Sequence, residues 1–479
     1  MASALGVSVL INVLSFVRQV LVAAYFGVER QLDVYFMVYA IATVIVFSLG
    51  VVFDTVVVPH LVRARERAEA EFQRLAGSVL VFSVLTSVAA AALFVLAMPL
   101  LIRAFAPGFS LADKVAAEGM AQFFVPWVVL VLPCYALAAA CKSRRMFGEA
   151  LAAEVVVALC STVMLVLQHT APTDIPLAFA VGYSTALVWL VAKARISLAS
   201  RGSLLDLGMK QIYKNSLALF SANQLGSVAS LVERVFYSYL PAGGISAVTY
   251  GVQTVNASAT VLNFREIFIV PLAVEAGRAQ RLQRLMIGLA MITVPIMFFV
   301  SFYARDVVAV IFERGKFDAT AGEATAAVLR IYALSLLPAV VGVPVFRIFQ
   351  LVNRIRFIGV LQLLSACSIA GFGLLFVAYL NRGAEGVALT LTLNCYVVNL
   401  ASIYLLGTCG VGLNLKQLSA YISYVSLCAV SALVLLRFAP IVPGNALVRL
   451  VVHGGIYCLL LGICLIPFAG RIRQLAALR

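Results

Sequence analysis

The chain has 479 residues, 63% of them hydrophobic and only 11% charged, with a formal net charge of +15. Ordinary soluble domains are about 25% charged, so this composition, with a mean hydropathy of +1.06, excludes a soluble globular enzyme and points to a polytopic membrane protein. The basic excess lies in short clusters between apolar runs, a pattern that reports membrane topology rather than nucleic-acid binding.

A membrane-spanning helix needs about 20 mostly apolar residues, and about fourteen runs qualify. In chain order they are 4–26, 34–59, 77–102, 121–140, 150–167, 175–191, 216–240, 247–273, 286–303, 326–349, 357–380, 387–406, 420–438 and 449–469. The first run has no basic segment before it and no convincing cleavage site, so it reads as a retained helix. Basic residues follow the even-numbered runs: Arg63, Arg65 and Arg67 after the second, Lys142, Arg144 and Arg145 after the fourth, Arg278, Arg281 and Arg284 after the eighth. The connections after odd-numbered runs are poorer in Lys and Arg. This alternation predicts a multi-pass inner-membrane protein with both termini in the cytoplasm.

The two halves resemble each other. Arg18, Tyr25 and Asp33-Val34-Tyr35 in the first correspond to Glu233-Arg234, Tyr239 and Thr249-Tyr250 in the second. Val57-Val58-Pro59 corresponds to Ile269-Val270-Pro271, and Phe105 to Phe109 corresponds to Phe312 to Phe317. The offset stays at about 210 residues, an even number of spans, as expected for parallel repeats. The expected architecture is all-α, with two six-helix bundles and two further C-terminal helices. The division expected is 1–191 for the first lobe, 192–215 for a cytoplasmic linker, 216–406 for the second lobe and 407–479 for the extra pair.

Charges inside the apolar runs are the candidate functional residues. Arg18 lies in the first run, Asp54 in the second, Glu233 and Arg234 in the seventh, and Arg265 and Glu266 in the eighth, with Asp33 at the mouth of the second. A charge in hydrocarbon costs between about 2.5 and 17 kcal/mol, depending on the scale used, so such residues pair or mark a pathway. Pairing would join Arg18 to Asp54, or Glu233 to Arg265. A lined cavity is the other reading, because these helices occupy matching places in the two halves. Guanidinium groups suit phosphate, whose oxygens match their planar fork. The carboxylates Asp33, Asp54, Glu233 and Glu266 are candidates for gating, pairing or ion coupling.

Other chemistry finds little support. The nine cysteines form no CxxC pair, and the three histidines stand apart, so neither a metal site nor a disulfide framework is expected. No P-loop, HExxH or GxSxG motif is present, and no catalytic residue is assigned. No cofactor is expected beyond coupling to H+, Na+ or the membrane potential.

Phe16-Val17-Arg18-Gln19, Ala24-Tyr25-Phe26-Gly27 and Asp33-Val34-Tyr35-Phe36 resemble the opening of the MviN/MurJ family, which reads F-x-R-D, A-x-x-F-G and D-A-F-F. Val58-Pro59, Phe105-Ala106-Pro107-Gly108-Phe109 and Phe312-Glu313-Arg314-Gly315-Lys316-Phe317 look like three further landmarks in the same order. The resemblance implies the fold of the multidrug/oligosaccharidyl-lipid/polysaccharide exporter superfamily and a flippase for lipid-linked saccharides. It also implies pyrophosphate-binding arginines, and there the chain departs. Asn12 stands where the family has a second arginine, Ala42 to Val46 carry none, and Val252-Gln253 replace D-R. Arg18 keeps its place, with Arg234 and Arg265 as the other expected headgroup ligands.

The expectation is therefore a flippase for an undecaprenyl-pyrophosphate-linked saccharide, either a lipid II-like peptidoglycan precursor or an exopolysaccharide repeat unit, working by alternating access. Expected partners are that lipid, the surrounding membrane lipids and proteins of cell-wall or polysaccharide assembly, with no nucleic acid. The rivals are a cation-coupled drug exporter of the same superfamily, a non-transporting membrane enzyme of polysaccharide assembly, and an assembly scaffold.

Overall fold

Helix follows helix along the chain, because each long apolar run must satisfy its backbone hydrogen bonds internally once it enters lipid. The computed structural model describes residues 2–197, 202–204, 206–262, 278–352, 354–438 and 445–465. In the first half these form α1 (Ala2–Phe26), α2 (Arg30–Val52), α3 (Val58–Arg67), α4 (Glu69–Phe105), α5 (Leu111–Ser143), α6 (Phe147–Leu167), α7 (Asp174–Ala194), α8 (Leu207–Tyr237) and α9 (Gly244–Leu262). In the second half they form α10 (Arg278–Phe302), α11 (Ala304–Phe312), α12 (Ala319–Tyr332), α13 (Leu336–Leu351), α14 (Ile355–Gly373), α15 (Gly383–Thr408), α16 (Leu415–Leu436) and α17 (Ala446–Leu465). Among the described residues no strand occurs, and eleven helical segments are long and apolar enough to cross a membrane. The protein is a multi-pass, all-α membrane protein. Each expected span falls on one of these helices or helix series, although the eighth and the fourteenth run into residues outside the described set.

Breaks appear where proline removes a donor. Pro59 cannot hydrogen-bond back to Thr55, and α2 passes into α3 through a π-helical turn, Phe53–Val57, instead of running on as one helix. Pro338 likewise cannot donate to Leu334. The tenth span, expected as one run, is divided there into α12, a 3-10 turn at Ala333–Ser335 and α13. The Tyr396 hydroxyl on α15 donates to the freed Leu334 carbonyl at 2.9 Å. Asn399 donates to the Pro338 carbonyl at 3.0 Å, so α15 splints the break from one side.

The described residues separate into two compact units, Met1–Ser246 and Ala247–Arg479. In the first, the most closely associated pairs are α4 with α5, α6 with α7 and α5 with α7, and α8 packs against α2 and α4. Its short turns are knotted together at one end. Ser110 and Asp113 form a capping box at the start of α5, and the Asp113 carboxylate also accepts from Arg30 at 2.8 Å. The Arg30 guanidinium lies 4.6 Å from the centre of the Phe109 ring. Gly108 donates its N–H to the Ser238 hydroxyl at 3.0 Å, and a Cβ there would stand 2.7 Å from the Ser238 carbonyl oxygen. The Ala-Pro-Gly-Phe landmark is thus a close approach between the start of α5 and the end of α8.

In the second unit, Tyr250 is fully buried with its ring 5.3 Å from Phe312 and 5.6 Å from Phe317. Arg305 bridges Glu313 and Glu323, its Nε lying 2.8 Å from the latter. The Phe-Glu-Arg-Gly-Lys-Phe landmark therefore closes the α11–α12 turn, with Gly315 at φ +60°. The last described helix, α17, is tied to the α10–α11 corner by Arg449 Nε to Asp306 at 3.1 Å and by Tyr303 to His453 at 3.0 Å.

Candidate functional site

Arg18 sits in the middle of α1, where it cannot reach water by stretching past a helix end. Its Nη1 donates to the Ser161 hydroxyl on α6 at 2.9 Å. Its guanidinium lies over the Phe179 ring on α7, 4.3 Å from the centroid. The Ser161 hydroxyl passes its own proton to the Ala158 carbonyl at 3.2 Å, so its oxygen is free to accept from Arg18. Phe179 stacks on Tyr39 at 6.0 Å and meets Trp127 at 5.5 Å, while Tyr39 stacks on Trp127 at 5.9 Å. Three helices, α2, α5 and α7, thus supply an aromatic wall behind one fixed cation.

Close packing of α6 and α7 makes this possible. A Cβ on Gly182 would lie 2.7 Å from the Val157 carbonyl oxygen and 3.3 Å from the Ser161 Cβ. Only a residue without a Cβ lets the two backbones approach and bring Ser161 and Phe179 to the same guanidinium.

The energetics leave room for a ligand. A charge-assisted hydrogen bond is worth about 1.5–3 kcal/mol and a cation–π contact about 0.5–2. Together they offset only the lower part of the about 2.5–17 kcal/mol cost of a membrane charge. Among the described residues no carboxylate pairs with Arg18. A guanidinium has five N–H donors, and the Ser161 bond uses one of them. Next to it, the buried Nε2 of Gln19 has no acceptor among the described residues.

The other candidates fall in different places. Arg234 lies in the last turn of α8, its guanidinium 4.5 Å from the Tyr237 ring centre and 3.9 Å from the Glu233 carboxylate. Both side chains are about one-fifth exposed, 20% and 18%, and the Arg234 Nε is buried without an acceptor among the described residues. No described contact joins Arg234 to Arg18. Asp33 is fully buried and accepts from Gly243 N–H at 2.7 Å, Ser246 N–H at 2.8 Å and the Ser246 hydroxyl at 2.7 Å. Arg30 stands 3.8 Å from it. Asp54 lies in the π-helical turn, but its side chain is outside the described set, as are Arg265 and Glu266 in full. The expected pairings of Arg18 with Asp54 and of Glu233 with Arg265 therefore fall outside the described residues. Among the described residues no cluster of His, Cys, Asp or Glu could hold a metal ion.

Sequence reasoning did not single out Ser161, Phe179, Tyr39 or Trp127, because serines and aromatics are ordinary in apolar helices and these four are far apart in the chain.

The fold has solved counterparts. A lipid II flippase MurJ in an inward closed conformation superposes with a TM-score of 0.81 at 17% identity, covering 98% of this chain and 100% of that one. An inward-facing multidrug resistance MATE family transporter of the MOP superfamily gives 0.65 at 13% identity, covering 86% and 95%. A MOP superfamily transporter from Pyrococcus furiosus Vc1 (DSM3638) gives 0.52 at 15% identity, covering 87% and 93%. At these identities the likeness speaks to fold alone. No curated protein sequence matches the chain significantly. The family profile described as lipid II flippase MurJ matches residues 22–453, nearly the whole sequence, and the chain belongs to that family.

Proposed function

We propose that this protein is a transporter that flips an undecaprenyl-pyrophosphate-linked saccharide across the bacterial inner membrane by alternating access of two six-helix lobes, with both termini in the cytoplasm. The observation that carries this reading is Arg18: a guanidinium within a membrane helix, backed by Phe179 and oriented by Ser161, with no described carboxylate to neutralise it. A pyrophosphate supplies the missing negative charge and matches the donors that remain. Family membership and the shared fold with solved transporters support transport over an enzymatic role.

Arg234 and Arg265 are proposed as further headgroup ligands. Glu233, Glu266, Asp54 and Asp33 are proposed for gating or for coupling to H+, Na+ or the membrane potential. The saccharide is proposed to be either a lipid II-like precursor or an exopolysaccharide repeat unit, since the chain lacks arginines at three places where the family pattern carries them. Cell-wall or polysaccharide assembly proteins are the proposed partners.

Depletion in the native host, followed by identification of the lipid-linked intermediate that accumulates, tests the reading. Accumulated lipid II with arrested wall synthesis identifies the peptidoglycan branch. Viable cells lacking surface polysaccharide, with its lipid-linked unit accumulated, identify the other. Accumulation of neither would overturn the proposal.

A further inference from the structure

A second polar site lies away from Arg18, where α2 gives way to α3. The π-helical turn ahead of Pro59 inserts an extra residue into the helical repeat, and α3 starts from it. His60 and Arg63, three residues apart, share one face of α3. On α8, Gln211 and Asn215 are four residues apart and likewise share a face. Together with Thr55 and Pro59 these four line a cleft of about 440 Å³ within the first unit.

The lining has a consistent chemistry. Among the described residues it contains no carboxylate. The His60 Nδ1 lies 2.8 Å from the Val56 carbonyl, an oxygen that can only accept, which selects the Nδ1–H tautomer, in which Nε2 is an acceptor. Gln211 Nε2 donates to Asn215 Oδ1 at 3.0 Å, which orients both amides and leaves the Asn215 NH2 as a donor. Arg63 is exposed and its guanidinium has no acceptor among the described residues, whereas its neighbours Arg65 and Arg67 are engaged by the Ser143 carbonyl and by Glu71. One fixed cation, an amide donor, the Thr55 hydroxyl and one imidazole acceptor therefore face a shared space.

We propose that this cleft binds a phosphate group that also carries a hydroxyl. Arg63 and Asn215 hold the anionic oxygens, and His60 Nε2 accepts from the hydroxyl. Two sources supply that chemistry: the glycerol phosphodiester headgroup of an anionic bilayer lipid, or free hydrogen phosphate. Lys210 and Lys214 on α8, exposed and each next in the chain to a lining residue, add positive charge that raises the local concentration of either. The site uses none of the residues assigned to transport, so it stands or falls apart from that reading.

Native mass spectrometry of the purified full-length protein in neutral detergent tests it, with titrations of phosphatidylglycerol, phosphatidylcholine and inorganic phosphate run separately. One bound phosphatidylglycerol, absent with phosphatidylcholine and weakened about tenfold or more by Arg63→Gln, is the expected result for a lipid source. The same dependence seen with inorganic phosphate alone identifies the free anion. His60→Leu should weaken binding by a smaller factor, about threefold to tenfold. Arg67→Gln, on the same helix but outside the cleft, is the control and should leave binding unchanged. Equal loss in Arg67→Gln would show a general surface-charge effect and overturn the proposal. Binding insensitive to both Arg63→Gln and His60→Leu, or no binding of either probe, would also overturn it. All three positions are polar and on the surface or partly so, and an unchanged melting temperature confirms that each variant is folded.

Discussion

Asp33 and Ser246 stand 213 positions apart, yet one oxygen of the Asp33 carboxylate accepts from both the backbone N–H and the hydroxyl of Ser246, at 2.8 and 2.7 Å. The other oxygen accepts from Gly243 N–H at 2.7 Å. A carboxylate that opens the second span thus holds the turn between α8 and α9. That turn needs Gly243, whose φ is +81° and whose Cβ would strike Val28. A motif residue read from the sequence as gating or coupling is also a fastening point.

Replacing that carboxylate should cost stability before it costs anything else. Asp33→Ala leaves three buried donors without an acceptor, a loss of about 3–5 kcal/mol by analogy with broken buried ionic networks. Asp33→Asn keeps one acceptor oxygen and should cost less. Thermal unfolding in detergent should rank wild type above Asp33→Asn above Asp33→Ala. Equal melting temperatures would rule out the fastening role.

At Arg18 the expectation is the reverse, loss of transport with retained structure. Arg18→Ala removes a membrane charge and should insert normally while failing to flip substrate. Arg18→Lys keeps the charge but loses the planar fork, and should retain only a small fraction of activity. A flipping assay at matched expression decides, and normal transport by Arg18→Ala would remove the basis for the proposed site.

Phe179→Leu keeps apolar volume but deletes the ring face under the guanidinium. The lost cation–π contact is worth about 0.5–2 kcal/mol, so transport should fall up to about thirtyfold if Arg18 works in the bound state. Ser161→Ala should add a further loss, and the two effects should be non-additive because both act through one side chain. Additive effects in a double-mutant cycle would separate them from Arg18.

Gly182→Ala tests the helix approach that assembles this group. Its new Cβ would meet a backbone carbonyl at 2.7 Å, which cannot move aside as a side-chain tip can. Overpacking of this kind costs about 1–3 kcal/mol. The melting temperature and transport should fall together, whereas Gly119→Ala, where a Cβ meets nothing within 4 Å, should be silent.

The splint across the tenth span makes a separable prediction. Tyr396→Phe strands the Leu334 carbonyl that Pro338 cannot serve, at a cost of about 1–3 kcal/mol. In a Pro338→Ala background the helix supplies its own donor, and Tyr396→Phe should then cost much less. Unfolding measurements on the two single variants and the double variant read the coupling directly.

The sequence by itself determined that this is an all-helical, multi-pass membrane protein, since lipid admits few other solutions for long apolar runs and their order is written in hydropathy. The landmarks Phe16 to Phe36, Phe105 to Phe109 and Phe312 to Phe317 were enough to indicate the family, and Arg18 declared itself by the cost of its position. What tertiary structure decided was which distant residues meet those signals. Nothing local marks Ser161 and Phe179 as the partners of Arg18, Tyr396 as the donor for Leu334, or Gly243 and Ser246 as the donors to Asp33. Hydrophobic patterning specifies only that a face is buried, whereas a hydrogen bond or a ring contact depends on helix approach within a few tenths of an ångström. That approach is set by small residues such as Gly182 and Gly108 and by proline breaks at Pro59 and Pro338, whose effects appear only once the helices are assembled.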